Sequence, residues 1–274
     1  MRVKNPSKLD RLREILSGYG SVLVAFSGGV DSAFVLKLAR ETLSRELAKA
    51  VTAESESVQA RELERARSLA RELDVEHRVI RTREFGRAAY RSNSEHRCYF
   101  CKTELYDQLI PIAREWNLKA IVNGTQMDDL GDFRPGLLAA SEHGVKSPLV
   151  EARFGKDEIR EHSLKIGLSV WDKPAAQCLS SRVPYGEEIT LEKLKQIETG
   201  ENFLKDLGFK ELRLRHFGHR ARIELGRDEF VRLMDAGLRV QITEFVRALG
   251  FKVVQFDRYA SGRLNQEAGL KGVS

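Results

Sequence analysis

The chain has 274 residues but only three cysteines, Cys98, Cys101 and Cys178. An odd, sparse set of thiols excludes a disulfide framework and suits a reducing cytosol, so a cytoplasmic protein is expected. Long apolar runs are missing too. Stretches such as Val22 to Phe26 are far too short to cross a bilayer, so no membrane role is expected. The opening Met-Arg-Val-Lys-Asn-Pro is charged and then amphipathic, so no secretory signal is expected there. There are no internal repeats and no low-complexity segments. Hydrophobic residues at 42% and charged residues at 31% describe an ordinary globular protein, long enough for about two domains.

The formal net charge is +6, from 46 Lys and Arg against 40 Asp and Glu. That excess suits an anionic ligand, either a nucleotide-like small molecule or a nucleic acid. Most of the charge is nevertheless interleaved on helices. Arg61-Glu62-Leu63-Glu64-Arg65-Ala66-Arg67 reads as a solvated helix face with i,i+4 pairs.

Periodicity supplies the fold class. Leu9, Leu12, Ile15 and Leu16 recur at helical spacing, and Ser21 to Phe26 is a short β-rich run. Helices follow from Ala33, over Val58 to Leu73 and over Lys102 to Trp116. Strands are expected over Ala48 to Ala53, His77 to Thr82 and Lys119 to Asn123. Strands alternating with helices define an α/β protein with a doubly wound parallel sheet. Two long irregular stretches, Thr125 to Gly136 and Val170 to Glu187, have the length of functional loops. After them the pattern becomes α+β: a helix to about Leu207, a hairpin of Glu211–His216 and Arg220–Leu225, a helix from Asp228, another over Gln241–Leu249, and a strand Phe251–Phe256. Two domains are expected, 1–187 and a smaller C-terminal α+β domain over 188–274.

The first strand ends in Ser27-Gly28-Gly29-Val30-Asp31-Ser32. This loop lacks the Gly-Lys-Ser/Thr ending of a Walker A loop and the spacing of a dinucleotide fingerprint. It does sit between a strand and a helix, where backbone N–H groups meet phosphate. Gly28 and Gly29 let the backbone approach closely, and Ser27 and Ser32 add hydroxyls. Asp31 either caps the helix or holds Mg²⁺ beside phosphate.

This loop resembles the PP-loop of the N-type ATP pyrophosphatases, which cleave ATP to AMP and pyrophosphate. The resemblance implies that residues 27–32 cradle pyrophosphate and that Ala53 and Ser55, after the second strand, lie near the adenosine. Two further runs narrow it: Asn123 to Gly136, with Gly124, Thr125, Asp128 and Asp129, and Trp171 to Gly186, with Lys173, Cys178 and Arg182. Both resemble the LarE family of ATP-dependent sulfur transferases, and the likeness continues through Arg213-Leu214-Arg215-His216 and Arg222-Ile223-Glu224. It implies adenylylation of the carboxylates of pyridinium-3,5-biscarboxylic acid mononucleotide and their conversion to thiocarboxylates for a nickel-pincer cofactor. ATP and Mg²⁺ are then the expected cofactors. The expected partners are the small mononucleotide, a second copy in a homo-oligomer and, at handover, the nickel-inserting enzyme of the pathway; no nucleic acid is expected.

Residue chemistry fits that expectation. A thiolate is the competent sulfur nucleophile, and cations such as Lys173 and Arg182 would favour it at Cys178. Arg213 and Arg215 alternate on one strand and face the same way, ready to grip a phosphate or simply to be solvated. Glu201 and Glu224 are weaker candidates for a metal or a base, and Asp128 and Asp129 for Mg²⁺ or for loop carboxylates. The resemblance implies that Cys178 is the sulfur-giving position. Because Cys98 and Cys101 form a C-x-x-C as well, the resemblance also implies that all three thiols can hold a [4Fe–4S] cluster with one open iron. Zinc with His96, or a redox pair, remains open beside it. Every version expects folding to bring the thiols to the mouth of the ATP pocket. A tRNA thiolase is the alternative, although zinc-ribbon pairs and an RNA-binding appendix are missing.

Overall fold

The computed structural model describes residues 7–131, 134–174 and 177–270. Asp132 and Phe133 of the first distinctive run, and Ala175 and Ala176 of the second, lie outside the described residues. The chain forms two compact units: the first takes 7–84 and 98–174, the second 85–97 and 177–270.

In the first unit α1 (Lys8–Tyr19) leads to β1 (Val22–Ala25), α2 (Val30–Thr42), β2 (Ala48–Glu54), α3 (Ala60–Glu72) and β3 (His77–Arg81). The short α4 (Ala88–Arg91) belongs to the second unit. The first unit resumes through α5 (Arg97–Glu115), whose initial residue marks the boundary, and β4 (Ala120–Val122). It then has α6 (Pro135–Glu142), α7 (Pro148–Glu151) and α8 (Lys156–Lys165).

The four strands are all parallel, in the order β3-β2-β1-β4. Alternation decides the layers. Val22 and Val24 of β1 join Leu12, Phe34, Leu69 and Ile159 on one face. Leu23 points the other way, onto Leu105, Leu109 and Ala139. Each fully buried leucine contributes roughly 1.5–3 kcal/mol to holding the layers together. From β1 the chain winds outward to β2 and β3, and it returns to place β4 on the opposite side. The carboxyl ends of β1 and β4 therefore flank a topological switch point, the usual ligand crevice of such sheets.

The second unit continues with α9 (Leu191–Asp206), β5 (Leu212–Phe217) and β6 (Arg220–Leu225), an antiparallel hairpin with Leu212 opposite Leu225. It then has α10 (Arg227–Phe230), α11 (Ala236–Ala248), β7 (Val253–Arg258) parallel to β6, and α12 (Arg263–Glu267). Phe203 and Phe245 stack with centroids 3.8 Å apart.

Some helices start earlier than periodicity implies. α2 opens at Val30, because Gly29 already occupies the N-cap position. α5 begins at Arg97, which puts Cys98 and Cys101 within its first two turns. α8 carried no sequence signal, since only Ile159 and Ser163 are buried along it.

Candidate functional site

The phosphate loop is held by its own serines. Ser27 Oγ and Ser32 Oγ lie 3.1 Å apart, and Ser32 Oγ donates to the Gly29 carbonyl at 3.2 Å. Among the described residues no side chain caps α2, so its first-turn N–H groups face the loop with the positive end of the helix dipole behind them. Gly28 has φ +68°, and a Cβ there would meet Ala66 Cβ of α3 at 2.9 Å. Only glycine accepts both that conformation and that contact. Gly124, just beyond β4, is excluded from carrying a side chain in the same way: its Cβ would lie 2.7 Å from Ser32 N. The two expected loops thus close on one another at the switch point.

Below the loop, Thr52 Oγ1 donates to the Phe26 carbonyl at 2.7 Å and lies 2.8 Å from His77 Nε2. Having spent its hydrogen on Phe26, the hydroxyl accepts from the imidazole. Burial, helped by Arg67 and Arg71, pushes His77 down to about 4, so it is neutral in that role. Ser55 turns its hydroxyl to Ser57 Oγ at 3.1 Å, and Ala53 stands half-buried near the carboxyl end of β2.

The acidic loop residues divide in role. Asp128 Oδ2 accepts from Lys156 N at 2.7 Å and so caps α8. Asp129 accepts from Gln126 N and pairs with Arg134 at 2.8 Å. Asp31 is the perturbed one. Burial and then the charge of Asp129 push it up to about 6, against opposition from Lys156, Arg160 and Arg134. A carboxylate pair that repels itself in this way is the donor chemistry that suits a divalent cation. Thr125 N donates to Asn123 Oδ1 at 3.0 Å and steadies the turn.

Lys173 reaches the phosphate loop. Its Nζ lies 2.9 Å from the Gly28 carbonyl and 2.7 Å from Glu62 Oε2. Glu62, read from sequence as part of a solvated helix face, is turned inward. Only its spacing of one turn before Ala66 on α3 could have given that away.

Cys98 and Cys101 are half-buried on one face of α5. Cys101 Sγ is 4.0 Å from Glu84 Oε1, and Glu84, 2% exposed, leaves Oε2 without a hydrogen-bond partner among the described residues. Sequence reasoning missed Glu84 altogether.

In the second unit, Cys178 N-caps a 3-10 turn over Leu179–Arg182. Arg182 wraps that turn. Its Nη1 reaches the carbonyls of Gln177 and Cys178 at 2.9 and 3.0 Å, and its other nitrogens clasp Glu201 at 2.8 and 3.0 Å. Burial opposes the Arg182 charge, but Glu201 and then the Cys178 thiol hold it above its ordinary value. Burial likewise opposes ionisation of Glu201, and Arg182 overrides it to hold the carboxyl low. Arg215 pairs with Glu224 at 3.0 Å and donates to the Ser181 carbonyl at 2.9 Å. Arg213 donates to Leu212 O and lies over the Tyr259 ring. Burial pushes both arginines down, and the charge of Arg182 adds to this. Glu201 and Glu224 thus stand as counter-ions in a buried, arginine-rich cluster suited to an anion.

Among the described residues, no group of three or more His, Cys, Asp or Glu side chains converges as a metal-holding set. Cys98 and Cys101 lie in the first unit and Cys178 in the second.

An uncapped helix behind a diglycine loop, at the switch point of a parallel sheet, defines a nucleotide-binding α/β protein of the PP-loop type, and residues 9–108 match the NAD synthase family. An uncharacterized protein of Synechocystis sp. is 41% identical over 262 residues, 95% of this chain and 97% of its own. The pyridinium-3,5-bisthiocarboxylic acid mononucleotide synthase of Lactiplantibacillus plantarum is 36% identical over 249 residues, covering 89% of this chain and 88% of that protein. A further uncharacterized protein, from Methanocaldococcus jannaschii, is 28% identical over 233 residues. The chain belongs to the pyridinium-3,5-bisthiocarboxylic acid mononucleotide synthase family.

Proposed function

We propose that this protein is an ATP-dependent sulfur transferase that converts the carboxylates of pyridinium-3,5-biscarboxylic acid mononucleotide into thiocarboxylates. The observation that carries this is the 36% identity to the synthase over nearly all of both chains. The phosphate loop retains the glycines its geometry requires.

In the activation step a substrate carboxylate oxygen attacks the α-phosphorus of ATP, and the bond to pyrophosphate breaks. Residues 27–32 and the α2 N-terminus hold the leaving pyrophosphate, with Ala53, Ser55, Gly124 and Thr125 beside the nucleoside. Asp31, with Asp129 beside it, would hold Mg²⁺, which neutralises phosphate charge when bound, while Asp128 keeps its place as the cap of α8. Arg213 and Arg215 take the substrate's own phosphate, with Glu201 and Glu224 keeping the cluster in place.

In the sulfur step the Cys178 thiolate attacks the acyl carbon and AMP leaves with the acyl oxygen bond. Loss of the Cys178 Cα proton then breaks its Cβ–S bond, giving a thiocarboxylate and dehydroalanine. Arg182 orients the turn that carries this thiol. A second reading is favoured by the C-x-x-C on one helical face: Cys98, Cys101 and Cys178 would hold a [4Fe–4S] cluster, which supplies an exchangeable sulfide. The proposal places the protein in the cytoplasm as a homo-oligomer, with residues from 188 as a substrate and assembly domain, and with product passed to a nickel-inserting enzyme.

The test is incubation with ATP, Mg²⁺ and the biscarboxylate mononucleotide, followed by mass spectrometry of product and protein. Thiocarboxylate with AMP and pyrophosphate supports the reading, and ATP cleavage without sulfur in the product sinks it. Loss of one H₂S equivalent from the protein identifies Cys178 as the source. Iron and acid-labile sulfide after anaerobic purification, with repeated turnover, identify the cluster.

A further inference from the structure

We propose that Glu62, acting through Lys173, is a positioning residue for ATP: the pair braces the Gly28 carbonyl and so aims the phosphate-binding N–H groups. This rests on the ATP site of the proposed function and adds a residue to it.

Helix α3 is the platform under the loop. Ala66 sits against Gly28, and Glu62, one turn earlier, reaches Lys173 Nζ at 2.7 Å. The two side chains are only 14% and 11% exposed, so their pairing is little screened by solvent. Arg65 Nη1 holds the other Glu62 oxygen at 2.9 Å. Lys173 is fixed along its backbone as well: its N–H donates to Val170 O at 3.0 Å and its carbonyl accepts from Arg160 Nη2 at 3.0 Å. Its ammonium therefore arrives at Gly28 O, 2.9 Å away, from a defined direction.

Two physical consequences follow. A charged donor on the Gly28 carbonyl fixes that peptide plane and polarises it, which strengthens the Gly29 N–H on its far side, a donor that rests on Ser27 Oγ at 3.3 Å until phosphate takes it. A carboxylate this close to a phosphate loop would also repel phosphate unless it were neutralised. Lys173 neutralises Glu62, and Glu62 holds Lys173 on the carbonyl, so each depends on the other.

The experiment is calorimetric titration of the full chain with MgATP and with pyrophosphate, for wild type, Glu62→Gln, Lys173→Met and the double variant. Glu64→Gln, on the exposed face of α3, serves as the control. Glu62→Gln should weaken ATP about tenfold, with a melting temperature close to wild type. Lys173→Met should weaken it at least as much, and the double variant should bind no worse than Lys173→Met alone. Should Lys173→Met fail to fold, Lys173→Gln completes the same cycle. ATP affinity unchanged in Glu62→Gln, or losses that multiply in the double variant, overturns the brace. A wild-type chain that binds no ATP overturns the nucleotide site itself, which is a separate result.

Discussion

Asp31 sits where burial and the neighbouring Asp129 both oppose its ionisation, and its carboxyl is pushed from 3.8 up to about 6. Because the folded value lies above the unfolded one, the folded state holds the extra proton between them. The stability this gives is complete below about 3.8 and is lost as pH climbs through about 6. Asp31→Asn should therefore raise the melting temperature of the ligand-free protein at pH 7.5 by about 2–4 °C, and by much less at pH 5, while abolishing ATP cleavage. Differential scanning calorimetry at the two pH values checks the first part. Cys178 makes the opposite separation. Cys178→Ser should leave nucleotide binding intact and eliminate transfer of sulfur, as pyrophosphate release and product mass would record. Asp31 and Cys178 were both visible as candidates in the sequence because their motifs are short and chemically demanding. Glu62 was not, since nothing local distinguishes an inward glutamate from its exposed neighbour Glu64.

The strand–loop–helix from β1 into α2 works because two glycines give way to backbone. Gly124→Ala would put a methyl group 2.7 Å from Ser32 N. It should destabilise the fold by about 1–3 kcal/mol and lower ATP affinity more than tenfold, measured by urea denaturation and titration. The 3-10 turn after Cys178 depends instead on charge. Arg182→Met leaves Glu201 buried without its partner and should cost about 3–5 kcal/mol. Adding Glu201→Leu should recover much of that stability but none of the sulfur transfer, which separates folding from chemistry. The strands and the hairpin could be read from short β-rich runs broken by turn residues. The pairing of Arg182 with Glu201 could not, because a buried ion pair leaves no periodic trace. Arg213 and Arg215 alternate on one strand as expected, yet the burial of Arg213 under Tyr259 depends on an element distant in sequence.

The excess of six positive charges over the whole chain raised the prospect of a nucleic-acid partner. Pairing with glutamates leaves that net excess unchanged, but Arg182, Arg215 and Arg222 turn inward to Glu201 and Glu224 in the second unit rather than out to solvent. Added tRNA should accordingly leave ATP cleavage unchanged, whereas the pyridinium mononucleotide should stimulate it; tRNA-dependent release of pyrophosphate would reverse that expectation. Residues 85–97 belong to the second unit although they interrupt the first in sequence. Backbone bonds from Gly186 N to Asn93 O and from Ile189 N to Arg91 O tie them in, together with Asn93 on the Val183 and Pro184 carbonyls and Arg97 on Ser180 O, and no composition shift announces any of these.

The bare start of α2 has one more consequence. Amide protons left without acceptors exchange freely with solvent water, and a bound polyphosphate would take them out of that traffic. Deuterium uptake over Val30, Asp31 and Ser32 should fall sharply when nucleotide is added while the middle of the same helix hardly changes, making this short stretch a built-in gauge of occupancy.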